Sequence, residues 1–236
     1  MIDLHCHIIF NTDDGAEKIE NSVNILKEAA DAGFTKICCT PHYVEPQYIK
    51  AKVENQEKLE LIKQKLKEEN IDIELYLGNE VYVSDNMKEL IEKGTIATIS
   101  DTNYVLVELP LTQKLLGAEE MIEDLIFAGY NIILAHPERY VYAQKDLKYF
   151  DNFIERGVYL QGNYESLIGK YGKTAEKTLK KLLKAKKIDL MSTDVHREKS
   201  TYTKMNKILK SLKHYAKKDY YEYITVECQE KILKNM

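Results

Sequence analysis

The chain has 236 residues, 44% of them hydrophobic and 31% charged, with a formal net charge of −4. That balance suits one soluble domain over residues 1–236, and no run approaches the ~20 apolar residues a membrane span needs. The acidic balance argues against a nucleic-acid binder, and a start without a basic region and apolar run predicts a cytoplasmic protein.

The four cysteines, Cys6, Cys38, Cys39 and Cys228, form no C-x-x-C pair, which predicts free thiols rather than disulfides. Of the 34 basic residues only Arg139, Arg156 and Arg197 are arginines. A guanidinium presents a rigid fork that matches phosphate or carboxylate, so the arginines mark places to look for an anion.

Taken in order, Met1 to Ile8 reads as a first strand, in which His5 and His7 share one face and Leu4, Cys6 and Ile8 the other. Ile19, Val23, Leu26 and Ala30 mark a helix closed by Gly33, and residues 36–40 a β run. A charged helix through Val53 and Leu66, a run from Ile73 to Val83, a short helix near Met87 and a strand at 104–107 follow. Beyond these come a helix at 117–130, a strand at 131–135, a helix at 147–156 and a strand at 158–160. A Lys-rich helix at 174–187 precedes a strand at 188–192, and the tail from Thr201 to Met236 reads as mostly helical. Seven strand-helix units without a dinucleotide glycine fingerprint predict an α/β fold whose parallel sheet is closed or distorted into a barrel.

In such folds chemistry sits where strands end. Those positions carry His5 and His7, Asp13-Asp14-Gly15, Pro41-His42, Asn79-Glu80, Glu108, His136-Pro137-Glu138-Arg139 and Asp194-Val195-His196. Five of the six histidines fall there; His214, on a Lys-rich helix, reads as a surface residue. The nitrogen and oxygen ligands are too many for one ion, so two or three divalent metals bridged by a carboxylate are expected, with Mn, Fe or Zn suited to the mixed donors. Clustered metals point to hydrolysis, and most directly to hydrolysis of a phosphate ester.

The ordered segments H-x-H, D-D-G, P-H, G-N-E, E-L-P, A-H-P-E-R-Y, Q-G-N-Y-x-S-L-x-G and S-T-D-V-H resemble the PHP (polymerase and histidinol phosphatase) superfamily. More narrowly they are similar to the manganese-dependent bacterial protein-tyrosine phosphatases encoded with capsular and exopolysaccharide genes. The resemblance implies a distorted (β/α)7 barrel. It assigns His5, His7, Glu80 and Asp194 to one metal, Glu80, Glu108 and His136 to a second, and Asp14, His42 and His196 to a third. It also implies a metal-bridging hydroxide as nucleophile, Arg139 as phosphate contact, and as partner a phosphotyrosine protein, namely a tyrosine autokinase with a Tyr-rich tail that regulates capsule or exopolysaccharide synthesis.

The chain departs from that pattern at Thr201, where similar proteins often carry a second arginine; Arg197 and Lys199 are the candidates offered instead for the second phosphate contact, with Tyr43 as a further candidate substrate contact. Tyr43, Tyr48, Tyr140 and Tyr164 lie in segments near the expected rim, either to stack on a phenol ring or simply to cover the surface. Cysteine-based phosphatase chemistry needs an arginine six positions after the nucleophile, and the residues there are Thr12, Val44, Glu45 and Lys234. The rival readings are a small-molecule phosphatase acting on histidinol phosphate, an amidohydrolase, and a non-catalytic metal-dependent binding module.

Overall fold

The structure, a computed structural model, describes residues 1–234. Its strands are β1 (Ile2–Asp3), β2 (Lys36–Cys39), β3 (His42–Tyr43), β4 (Glu74–Leu77), β5 (Glu80–Tyr82), β6 (Tyr104–Glu108), β7 (Asn131–Ala135), β8 (Tyr159–Asn163) and β9 (Leu190–Ser192). The helices are α1 (Ile19–Asp31), α2 (Lys52–Glu68), α3 (Met87–Glu92), α4 (Ala118–Phe127), α5 (Asp151–Glu155), α6 (Gly172–Lys184), α7 (Met205–Tyr215), α8 (Lys218–Glu222) and α9 (Cys228–Lys234).

Every ladder between these strands is parallel, in the orders β1-β2-β4 and β3-β5-β6-β7-β8-β9. Only Thr40 and Pro41 separate β2 from β3, and only Gly78 and Asn79 separate β4 from β5. Each pair is thus one stave broken near its end, which gives seven staves. A parallel bridge between Cys6 and Val195 ties the first stave to the last, through His7 N–H to Val195 O at 2.9 Å and Asp194 N–H to His5 O at 2.8 Å. The result is the distorted α/β barrel expected from the sequence.

Two elements differ from expectation for local reasons. The first strand stops at Asp3, whose buried carboxylate accepts from the backbone N–H of His5 and Thr193 and from the Tyr202 hydroxyl, so side-chain bonds replace the ladder there. The run from Ile73 to Val83 splits at Gly78, where an added Cβ would lie 2.8 Å from Ile99 Cδ1. The tail is helical through α7, α8 and α9, with a π turn at Tyr223–Glu227, while Asn235 and Met236 lie outside the described residues.

Alternation along the strands separates two cores. Val105 and Val107 of β6, with Ile132 and Leu134 of β7, belong to the large cluster that also takes in the apolar stripes of α1, α2 and α6. Tyr104 and Leu106, with Ile133 and Ala135, pack instead with Cys228, Ile232 and Leu233 of α9. Ile2 and Leu190 join this second cluster, so α9 covers the amino-terminal ends of the strands. Because every strand runs the same way, the carboxyl-terminal ends gather at the other rim.

Candidate metal centre

At that rim the nine residues expected as ligands converge. His5 and His7 are fully buried, with their Nε2 atoms 3.2 Å apart. Glu80 Oε2 lies 3.2 Å from His5 Nε2, 3.3 Å from His7 Nε2 and 3.0 Å from His42 Nδ1. Asp194 Oδ1 lies 3.3 Å from His7 Nε2 and 3.5 Å from His5 Nε2. On one side His136 Nε2 sits 3.0 Å from Glu80 Oε1 and 3.4 Å from Glu108 Oε1. On the other, Asp14 Oδ1 is 3.3 Å from His196 Nε2 and 3.7 Å from His42 Nε2.

Donor atoms fall into three groups compact enough for a cation: His5, His7, Glu80 and Asp194; His42, Glu80 and Glu108; and His7, Asp14, His42 and His196. The first comprises the same four residues that the resemblance assigns to one metal. The other two overlap through His42, and His7 joins the third, so the sharing is wider than one bridging carboxylate. His136 stands beside the second group through Glu80 and Glu108.

The hydrogen bonds behind the histidines decide which nitrogen faces inward. Gln161 Oε1 accepts from His5 Nδ1 at 2.8 Å, Asp13 Oδ2 from His7 Nδ1 at 2.7 Å, and the backbone carbonyl of Asp194 from His196 Nδ1 at 2.9 Å. A proton held on Nδ1 leaves the Nε2 lone pair toward the centre, which is the arrangement of a metal-binding imidazole. Asp13 also accepts from the backbone N–H of His42 at 2.9 Å and of Gly15 at 2.9 Å, locking two rim loops together. Only glycine fits at position 15, since an added Cβ would come within 2.0 Å of His7 O.

Electrostatics point the same way. Burial opposes a charge on His5, but the carboxylates of Glu80 and Asp194 overcome it and raise its pKa to about 9. Burial and then the Glu80 charge raise Glu108 to about 8, while burial and then Arg139 lower His136 to about 4. Without a cation, buried like groups crowd one another; Glu80 Oε2 and His136 Nδ1 are buried and make no hydrogen bond. Divalent cations would satisfy the Glu80 oxygen and take the protons' place on the imidazoles, so the residues present fit metals. Two of these residues also hold left-handed backbone, His136 at φ 33° and Asp194 at φ 53°, which costs on the order of 1 kcal/mol or more each and is typical of functional sites.

A family model described as "Capsular polysaccharide synthesis, CpsB/CapC" matches residues 1–234. The chain belongs to this family. It is 28% identical over 200 residues to the tyrosine-protein phosphatase YwqE of Bacillus subtilis, covering 85% of this chain and 79% of the relative. A crystal structure from work on YwqE and on CpsB of Streptococcus pneumoniae, described as unique metal-dependent tyrosine phosphatases, superposes with a TM-score of 0.92 at 27% identity. It covers 100% of this chain and 95% of that one. At the level of fold alone, a histidinol phosphate phosphatase from Lactococcus lactis matches with a TM-score of 0.58 at 16% identity, over 91% of this chain and 93% of the other.

The CpsB/CapC chain places its remaining expected residues unequally. Arg139 Nη1 donates to Asp194 Oδ2 at 2.8 Å, and its guanidinium carbon lies 4.4 Å from the centre of the Tyr171 ring. It therefore borders the ligand cluster rather than pairing with Glu138, which is buried and accepts from Ser166 and the backbone of Asn163. Arg197 spends its guanidinium on the backbone carbonyls of Asp14, Gly15 and His196 and braces the loop carrying Asp14. Lys199 turns its backbone N–H to Glu28 of α1.

Tyr43, next to His42 on β3, packs its ring into the hydrophobic core, and Tyr140 and Tyr164 are fully buried. The Tyr140 hydroxyl bonds Ala135 O and Leu109 N–H. Tyr48 stacks on His42 at 5.9 Å between ring centres, and the buried Tyr140 ring meets His136 edge-on at the same distance. Thr201 is buried and donates to Glu165. All four cysteines are buried free thiols, as expected, and His214 is exposed.

Residues that sequence reasoning left without a role complete the site. Asn163 Nδ2 donates to Asp194 Oδ2 at 2.7 Å, Gln161 Nε2 donates to Asn163 Oδ1 at 2.9 Å, and the Tyr171 hydroxyl lies 3.4 Å from the same Asp194 oxygen. One oxygen of Asp194 thus faces the imidazoles while the other is fixed by Asn163, Arg139 and Tyr171.

Proposed function

We propose that this chain is a metal-dependent phosphotyrosine phosphatase of the CpsB/CapC family that binds two or three divalent ions, with Mn the first choice. The observation that carries the reading is the convergence of nine imidazole and carboxylate side chains at one rim with the Arg139 guanidinium at their edge. When bound, such metals supply Lewis acidity and an activated water for an in-line displacement at phosphorus.

In this reading His5, His7, Asp14, His42, Glu80, Glu108, His136, Asp194 and His196 hold the ions. Arg139 offers its remaining guanidinium N–H groups to the non-bridging phosphoryl oxygens, where charge-assisted bonds strengthen as charge builds. Asp194 and the Tyr171 ring keep that guanidinium in place. Gln161 and Asp13 hold the His5 and His7 tautomers, and Arg197 acts by bracing the loop of Asp14. A thiolate route lacks its arginine six positions after every one of the four cysteines, and burial pushes the thiols of Cys6 and Cys38 well above their usual range. The substrate is a phosphotyrosine protein, with a tyrosine autokinase of the capsule or exopolysaccharide machinery as the expected partner.

The test is turnover of a phosphotyrosine peptide beside histidinol phosphate by the metal-loaded protein. Faster kcat/KM on the peptide is the expected result. Preference for histidinol phosphate would move the chain to the small-molecule phosphatases, and no turnover of either by metal-replete protein would return it to a binding module.

A further inference from the structure

Charge is unevenly divided along this chain. Residues 1–169 carry 16 basic and 30 acidic side chains, whereas residues 170–236 carry 18 basic and 8 acidic, so a net charge of −14 is followed by one of +10. Much of the excess lies on α6, which buries Ala175, Thr178, Leu179, Leu182 and Leu183 and exposes Lys173, Lys177, Lys181 and Lys184. Those four follow one another at helical spacing along the outer face. Among the described residues none of the four pairs with a carboxylate, unlike Lys180, which pairs with Glu176.

The row has a beginning and an end. It begins beside Tyr171, the residue that touches both Arg139 and Asp194 at the metal centre. It ends in a cleft of about 490 Å³ between the end of α6 and the turn from α7 to α8. There Lys184, Lys186, Lys217 and Lys218 stand with Tyr215 against the one carboxylate of Asp219. A helix of 13 residues rises about 20 Å, the reach of roughly six extended residues.

We propose that the α6 lysine row and the cleft at its end form a docking track for an acidic stretch of the phosphoprotein substrate, some six to ten residues from the phosphotyrosine. This rests on the phosphatase reading above. A row one lysine wide, opening into a concave cleft, matches a single extended chain. A bilayer would be met by a broad face with exposed apolar side chains, and among the described residues the large exposed ones, such as Leu116 and Phe127, all precede residue 142. Lysine in place of arginine suits carboxylates gathered by charge rather than phosphates gripped by a fork. Lys184 lies over the Tyr215 ring at 5.6 Å, which holds its ammonium group at the cleft that both residues line.

The experiment uses the metal-loaded full chain and phosphotyrosine peptides that carry four acidic residues, or four serines, six to ten positions to either side of the phosphotyrosine. In low salt the acidic extension on one side should raise kcat/KM about 10-fold, an advantage that fades at high ionic strength. The variant K173E/K177E/K184E/K217E should lose that advantage and hydrolyse the serine peptides as before. Equal kcat/KM for acidic and serine peptides on both sides would overturn the proposal, as would a charge-reversed variant that keeps the preference. Binding to phosphatidylglycerol vesicles that the variant loses, without any peptide preference, would also overturn it and give the face to a bilayer. Failure to hydrolyse even the serine peptides would instead count against the phosphatase reading.

Discussion

At their amino-terminal ends the strands present Ile2, Tyr104 and Leu190 to Cys228, Ile232 and Leu233 of α9, an apolar contact. At their carboxyl-terminal ends the same staves present Glu80, Glu108, His136 and Asp194, all buried and all ionisable. The first end removes apolar surface from water and stabilises the fold. The second crowds charges and holds His136 and Asp194 in left-handed backbone, which only a well-packed scaffold tolerates. Stability and chemistry are therefore separable along the strand direction, with the middle of each strand as the divide.

The largest expected effect comes from striking each end in turn. Asp194→Asn should lower turnover by about 10³-fold or more and reduce bound metal, because the oxygen shared by His5 and His7 loses its charge. Ile232→Ala should cost about 2 to 5 kcal/mol in denaturant unfolding while kcat per folded, metal-loaded molecule stays normal. If Ile232→Ala damaged kcat as much as Asp194→Asn does, the two ends would not be separable.

A smaller loss is expected at the edge of the ligand cluster. Arg139→Ala should lower kcat by roughly 10²- to 10³-fold, the usual cost of removing a contact to developing charge, and Arg139→Lys should recover part of it. Because Arg139 also donates to Asp194 Oδ2, the alanine variant should need more metal to saturate. Turnover that is fully restored by excess metal would reduce Arg139 to a support for Asp194.

Smaller still is the effect behind the ligands. Gln161→Leu removes the acceptor for His5 Nδ1 and should weaken metal binding by about 10- to 100-fold without removing any ligand. Competition with a chelator measures it. Unchanged affinity would mean that packing alone orients His5.

The contrast between these positions also marks what the sequence makes legible. His5 and His7 announce themselves because strand alternation puts them on one face, and Glu80, Glu108, His136 and Asp194 because each ends an apolar run. Gln161 and Asn163 share a face of β8 and lie in the Q-G-N-Y segment, but nothing in the sequence says what they hold, since Gln161 acts on a residue 156 positions away, and Tyr171 carries no mark at all. Tyrosines misled for a different reason. An amphipathic ring looks the same at a rim as in a core, and Tyr140 turns out to bond backbone from within. The arginine count was informative for Arg139, but Arg197 uses its fork on the loop carbonyls of its own chain, which composition does not reveal.

The most direct test of the whole account is a titration of chelator-stripped protein with Mn²⁺, followed by turnover of a phosphotyrosine peptide. The stripped protein should be folded and inactive, and activity should rise to a plateau at two or three equivalents per chain. Full turnover by the stripped protein, or a plateau at a single equivalent, would contradict a shared multi-metal centre at the strand ends.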